Sequence, residues 1–117
     1  MKPIRYATAA AAAVLALALA APAPAATRLV ATVGPGFTIT LTKGGTKVRT
    51  LKPGAYTISV RDKSSSHNFA LRGPGVTKST SVAFVGTKTW TVTLKKGTYR
   101  YVCTPHADLM KGSFTVR

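Results

Sequence analysis

A chain of 117 residues with 17 lysines and arginines, two acids and one cysteine is long enough for one small domain. The two acids, Asp62 and Asp108, exclude hydrolysis by paired carboxylates, because neither has a convincing partner. The single Cys103 excludes an internal disulfide. It leaves four roles for that thiol: metal ligand, link to another chain, nucleophile or buried apolar side chain.

The N-terminus reads as an export signal. Lys2 and Arg5 form a basic start, Ala9 to Ala21 is a continuous apolar run, and Ala23-Pro24-Ala25 fits a small-x-small cleavage site, with the cut after Ala25 or Ala26. The run is shorter than the roughly 20 residues that a membrane helix needs. Removing residues 1–26 leaves a mature domain, 27–117, of 91 residues with a net charge of +13. The remaining cations, among them Lys43, Lys47, Arg49, Lys52, Arg61, Lys63, Lys78, Lys88, Lys95 and Lys96, are scattered rather than gathered in a run or a helical stripe. Together with export, this argues against nucleic acid, the usual first partner for so basic a chain.

From there the pattern has period two. Phe37, Ile39 and Leu41 alternate with threonines. Tyr56, Ile58 and Val60 alternate with Thr57, Ser59 and Arg61. Trp90, Val92 and Leu94 alternate with Thr89, Thr91 and Thr93. Each run predicts a strand with one apolar and one wet face. Shorter candidates are Arg28–Val33, Lys47–Leu51, Asn68–Arg72, Ser81–Val85, Thr98–Val102 and Ser113–Arg117. Glycine- and proline-bearing turns such as Gly34-Pro35-Gly36, Lys52-Pro53-Gly54 and Gly73-Pro74-Gly75 fall between them. Seven to nine short strands with regular turns predict an all-β fold, a two-sheet sandwich or a barrel. Asp62 and Asp108 are expected at the surface or in turns, and Trp90 and Phe114 in the core.

The chemistry is concentrated near the end. Tyr99 to Gly112 reads YRYVCTPHADLMKG and contains the only cysteine, one of two histidines and the only methionine besides Met1. On a strand, Tyr99, Tyr101 and Cys103 share a face, as do His67, Phe69 and Leu71, and both faces read as inward. His106 and Met110 lie in the turn that follows. A loop closing one end of a sandwich brings His67, Cys103, His106 and Met110 within reach of one another. Two imidazoles, a thiolate and a thioether form the ligand set of a blue-copper electron-transfer site; structural zinc prefers more thiolates, or a further histidine or carboxylate. Cys103 and His106 as nucleophile and base would need a third, orienting group. That group is hard to find, and we assign no catalytic residue.

The segments Tyr101-Val102-Cys103-Thr104-Pro105-His106, Met110-Lys111-Gly112 and Ser66-His67-Asn68-Phe69 resemble those of the cupredoxins, most closely the plastocyanin-like branch, and the resemblance extends over about Thr32 to Arg117. It implies a Greek-key sandwich of about eight strands with one copper ion at one end. Carried over residue by residue, His67, Cys103 and His106 are the strong ligands and Met110 the axial one. Asn68 ties the two ligand-bearing loops together, and Pro105 removes an N–H close to the sulfur. His106 becomes the exposed edge through which electrons pass. Three residues separate His106 from Met110, where plastocyanins commonly have four. The acidic recognition patch of many plastocyanins is missing as well, so the expected partner is an acidic redox protein or an anionic component of the cell envelope. The implied protein is an exported, monomeric electron carrier. The same site could instead carry or store copper, and the basic surface could belong to an envelope-interaction module.

Overall fold

The structure is a computed structural model that describes residues 1–5, 7–18 and 25–117. Residues 1–5 and 7–18 form no helix or strand. The end of the expected apolar run and Ala23-Pro24 of the expected cleavage site lie outside the described residues. Among the described residues, no helix is long and apolar enough to cross a membrane.

Among the described residues, ten strands build two mixed five-stranded sheets. They are β1 (Thr27–Val33), β2 (Ile39–Lys43), β3 (Thr46–Lys47), β4 (Thr50–Leu51), β5 (Gly54–Asp62), β6 (Ala70–Gly73), β7 (Val76–Ser79), β8 (Gly86–Leu94), β9 (Gly97–Val102) and β10 (Lys111–Val116). The first sheet runs β3-β2-β1-β5-β8 and the second β4-β10-β9-β6-β7. Pairing is antiparallel except for β1 with β5 and β4 with β10. The alternation read from the sequence places Leu29, Ala31, Val33, Leu41, Ile58 and Val60 of the first sheet against Leu71, Tyr99, Tyr101, Phe114 and Val116 of the second, all buried. Burying this apolar surface is the main favourable term in folding.

Three local departures from the expected strands have physical causes. Lys47–Leu51 is not one strand but a crossing between sheets. β3 pairs with β2 and β4 pairs with β10, while Val48 between them is buried and donates its N–H to Leu41 O at 2.9 Å. Ser81–Val85 forms turns, and Val82 and Val85 are exposed. The strand in that region is β7, which folds back on β6 through Gly73-Pro74-Gly75. Phe37 leaves the alternation of β2, and its ring stands 61% exposed.

Two tyrosines on β9 lie across glycines of the neighbouring strands. Gly112 is the register partner of Tyr101, and a Cβ at Gly112 would overlap the Tyr101 ring. A Cβ at Gly73 would likewise overlap the Tyr99 ring. An aromatic ring covering a strand glycine shields backbone that would otherwise be poorly packed. In β9 it also holds the two residues that share a face with Cys103. Gly112→Ala should therefore lower stability by about 1–3 kcal/mol, the usual cost of overpacking a core. Urea unfolding checks this: the midpoint should fall while the denaturant slope stays constant.

Candidate metal centre

The loops leaving β1, β5 and β9 meet at one end of the sandwich. The β5–β6 loop delivers His67, which is buried, and the residues after β9 deliver Cys103 and a half-buried His106. Three donor atoms converge there. His67 Nδ1 lies 3.1 Å from His106 Nδ1, and Cys103 Sγ lies 3.7 Å from His67 Nδ1 and 3.6 Å from His106 Nδ1. A point equidistant from all three lies about 2.0 Å from each, close to metal–imidazole bonds of about 2.0–2.1 Å and slightly short of a metal–thiolate bond of about 2.3 Å. The triangle fits one ion with little adjustment.

Local structure explains the convergence. Thr104–His106 form one 3-10 turn with Pro105 in its first positions, where a missing N–H costs nothing. His106 N–H donates to Cys103 O at 3.0 Å and Met110 N–H to His106 O at 2.8 Å. Cys103 N–H donates to Met110 O at 2.9 Å, closing the loop on itself. Met110 is thereby fully buried next to the cysteine strand. Asn68 joins the two segments that bring the donor atoms together. Its Oδ1 accepts from Thr104 N–H at 2.7 Å and from Thr104 Oγ1 at 3.1 Å, and its Nδ2 donates to Thr80 O at 3.1 Å.

Several residues of the site carry no clear signal in the sequence. Thr80 is buried, and its hydroxyl accepts from Phe69 N–H at 2.9 Å, fixing the backbone just beyond His67. Gly34 adopts φ +70°, where a Cβ would meet Ser64 and the His67 ring at 3.1 and 3.3 Å; glycine gives both the conformation and the clearance. Phe37, next to that Gly-Pro-Gly turn, stands edge-on to both imidazoles, with ring centroids 5.4 Å from His67 and 5.0 Å from His106. The imidazoles are themselves edge-to-face at 4.8 Å. These three rings form one cluster in the favoured T-shaped arrangement.

Asp62 corrects the surface assignment made from sequence. It ends β5 only 2% exposed, and Oδ1 accepts from Ser64 N–H at 2.9 Å while Oδ2 has no partner. Burial raises its carboxyl above the ordinary value of 3.8, and the Ser64 N–H and nearby His67 pull it back in part. Trp90 is half-buried rather than fully inside, whereas Phe114 is buried as expected.

Residues 38–117 match the model of copper binding proteins of the plastocyanin/azurin family. Among solved structures, the chain is similar to rusticyanin from Thiobacillus ferrooxidans, at 27% identity over 77% of this chain and 76% of that one, with a TM-score of 0.54. A crystal structure of a rusticyanin variant aligns with a TM-score of 0.59 at 22% identity over the same shares of the two chains. The Cu(I) form of an amicyanin mutant aligns at 20% identity over 80% of this chain and 85% of that one, with a TM-score of 0.53. No curated protein sequence matches the chain.

Two tests address the residues that sequence reading missed. Asp62 has a folded-state carboxyl raised above its unfolded value, so it supports the fold at low pH and loses that contribution as pH rises through the folded value. Asp62→Asn keeps the acceptor for Ser64 and removes the orphan charge. In metal-free protein, thermal unfolding should show the native chain losing stability relative to this variant as pH rises from about 3 to 7; parallel profiles would contradict the assignment. Phe37→Ala should leave the fold intact, since the ring is mostly exposed, yet release copper to a chelator about tenfold faster, within the range seen when groups supporting metal ligands are removed. Stopped-flow chelator competition measures that rate.

Proposed function

This chain belongs to the plastocyanin/azurin family of copper-binding proteins, and on that premise we propose that it is an exported carrier of single electrons. Its cofactor is copper. In this reading His67 Nδ1, His106 Nδ1 and Cys103 Sγ would hold the copper, and Met110 would add a weaker thioether donor. The observation that carries the reading is the triangle of donor atoms with sides of 3.1, 3.6 and 3.7 Å. Two imidazoles and one thiolate in a plane, with a thioether to one side, are the donor set of blue-copper electron-transfer centres. Copper bound there supplies a one-electron couple.

The protein's part is to hold the donors still. Cys103 binds as a thiolate, so loading releases its proton. The N–H of Cys103, turned toward Met110 O, and the Asn68 bridge to Thr104 keep the thiolate strand and the histidine loop at a constant separation. Rigid donors change little between oxidation states, and such preorganisation favours rapid exchange. His106 is the more exposed of the two imidazoles. It lies beside Phe37 and in the same loop as Leu109, which is 71% exposed, so this apolar rim is where a partner would approach. The basic charge favours an acidic redox protein or an anionic envelope component by steering. Export rests on the basic start, apolar run and small-x-small motif of residues 1–26, with 27–117 as the working domain.

Adding Cu(II) to the metal-free mature protein should produce an intense blue colour from thiolate-to-copper charge transfer. Cys103→Ser should abolish the colour while leaving the β-sheet circular dichroism unchanged. A visible spectrum that survives the substitution would rule out this ligand set.

A further inference from the structure

The outer face of the second sheet carries a charge arrangement that the copper site does not use. Arg72 on β6 and Arg100 on β9 are direct register partners, and both are exposed. Opposed residues on antiparallel strands stand about 4.5–5.5 Å apart at Cβ, and like charges in that position destabilise the sheet. No acid relieves them. Asp62 ends β5 in the other sheet, Asp108 lies in the loop before β10, and no acid lines the groove that the two arginines share. That groove has a volume of about 460 Å³ and is completed by Ala70, Gly73, Thr98 and Val102. Hydroxyls continue the arginine row on both sides, with Thr77 opposite Arg72 and Ser113 opposite Arg100. Lys111, opposite Val102, adds a third cation in the next row.

We propose that Arg72 and Arg100 clamp a phosphate group in this groove. Charge and donor counts select the ligand class. A guanidinium presents its N–H donors as a planar fork that fits oxyanions in bidentate fashion. A carboxylate carries one charge and two oxygens, which a single fork satisfies. A phosphate monoester or inorganic phosphate carries about −1.5 to −2 charges and at least three terminal oxygens, which suits two adjacent forks. The Ala70 and Val102 side of the groove is apolar and brings no charged side chain to compete with the anion. The like-charge pair, unfavourable when empty, becomes favourable once a dianion lies between its members. Free phosphate and a phosphomonoester on a lipid headgroup present the same chemistry to the groove.

The experiment titrates the copper(I)-loaded chain with inorganic phosphate, with acetate, and with vesicles containing or lacking a phosphomonoester lipid, following amide shifts on β6 and β9 and vesicle co-sedimentation. The expected result is saturable phosphate binding with shifts centred on Arg72 and Arg100, and acetate binding at least tenfold weaker. Saturation by free phosphate points to a soluble ligand, and vesicle binding that depends on the phosphomonoester points to a surface one; both support the clamp. Arg72→Gln with Arg100→Gln should lower phosphate affinity at least tenfold. Lys78→Gln with Lys88→Gln, which removes the same charge elsewhere, should change it less than twofold. The arginine double variant should also melt no lower than the native chain in phosphate-free buffer, because it loses a repulsion. Equal loss in the two double variants, equal binding of acetate, or no saturable response in either phosphate arm would overturn the proposal.

Discussion

One buried amide ties together the two segments that carry the converging donors. Asn68 follows His67 directly, and its side-chain oxygen receives both the N–H and the hydroxyl of Thr104, the residue after Cys103. Two donor residues, His67 and Cys103, 36 positions apart in sequence, are thereby linked through one side chain in space. The other end of the same amide holds Thr80 O, and the Thr80 hydroxyl returns to Phe69 N–H. Every polar atom in this knot is paired, as burial demands, because an orphaned partner would cost about 1–3 kcal/mol. The knot is also directional: it sets where the histidine-bearing loop lies over the sheet, not merely that it lies there. The same hydrogen bonds accompany the convergence of three donors to within 3.7 Å.

The rings perform a second, independent part of the same task. Hydrogen bonds position the backbones of His67 and Cys103, but an imidazole can still turn about its own bonds. Phe37 stands against both imidazoles, and the imidazoles stand against each other. Turning either histidine would break two edge-to-face contacts, each worth about 0.5–1.5 kcal/mol. A largely exposed phenylalanine is a poor contributor to a core, but here it is placed to keep the Nδ1 atoms facing inward.

How much of this was legible in the chain depends on how local each cause is. The strands of β1, β2, β5, β8, β9 and β10 could be read because a half-buried sheet leaves a period-two imprint, and the inward face of Tyr99, Tyr101 and Cys103 followed from the same rule. Cys103 and His106 were legible because scarce residue types gathered in one short segment, whereas His67, 36 positions from Cys103, was read from its place on an inward face. Thr80, by contrast, is one threonine among many, and nothing local distinguishes the one whose hydroxyl meets Phe69. Phe37 fitted the alternation of Ile39 and Leu41 and was read as their companion. The chain turns away from the sheet before Ile39, a tertiary outcome that the pattern does not encode. Val82 and Val85 misled in the opposite sense: they look like strand residues, but β7 had already taken the sheet edge beside β6.

Position rather than charge explains why a domain so short of acids still folds with one of them buried. Asp62 is held above its ordinary carboxyl value, because desolvation outweighs the Ser64 N–H and the pull of His67. Position accounts for its presence. Asp62 is the last residue of β5, paired with Val33 on one side and Gly86 on the other, and its carboxylate turns the chain through Ser64 into the loop that delivers His67. A carboxylate at a strand end is a common turn-former because it accepts a backbone N–H two residues on. In this chain the local geometry of the turn prevails over the solvation cost of its charge, and the metal centre inherits that turn.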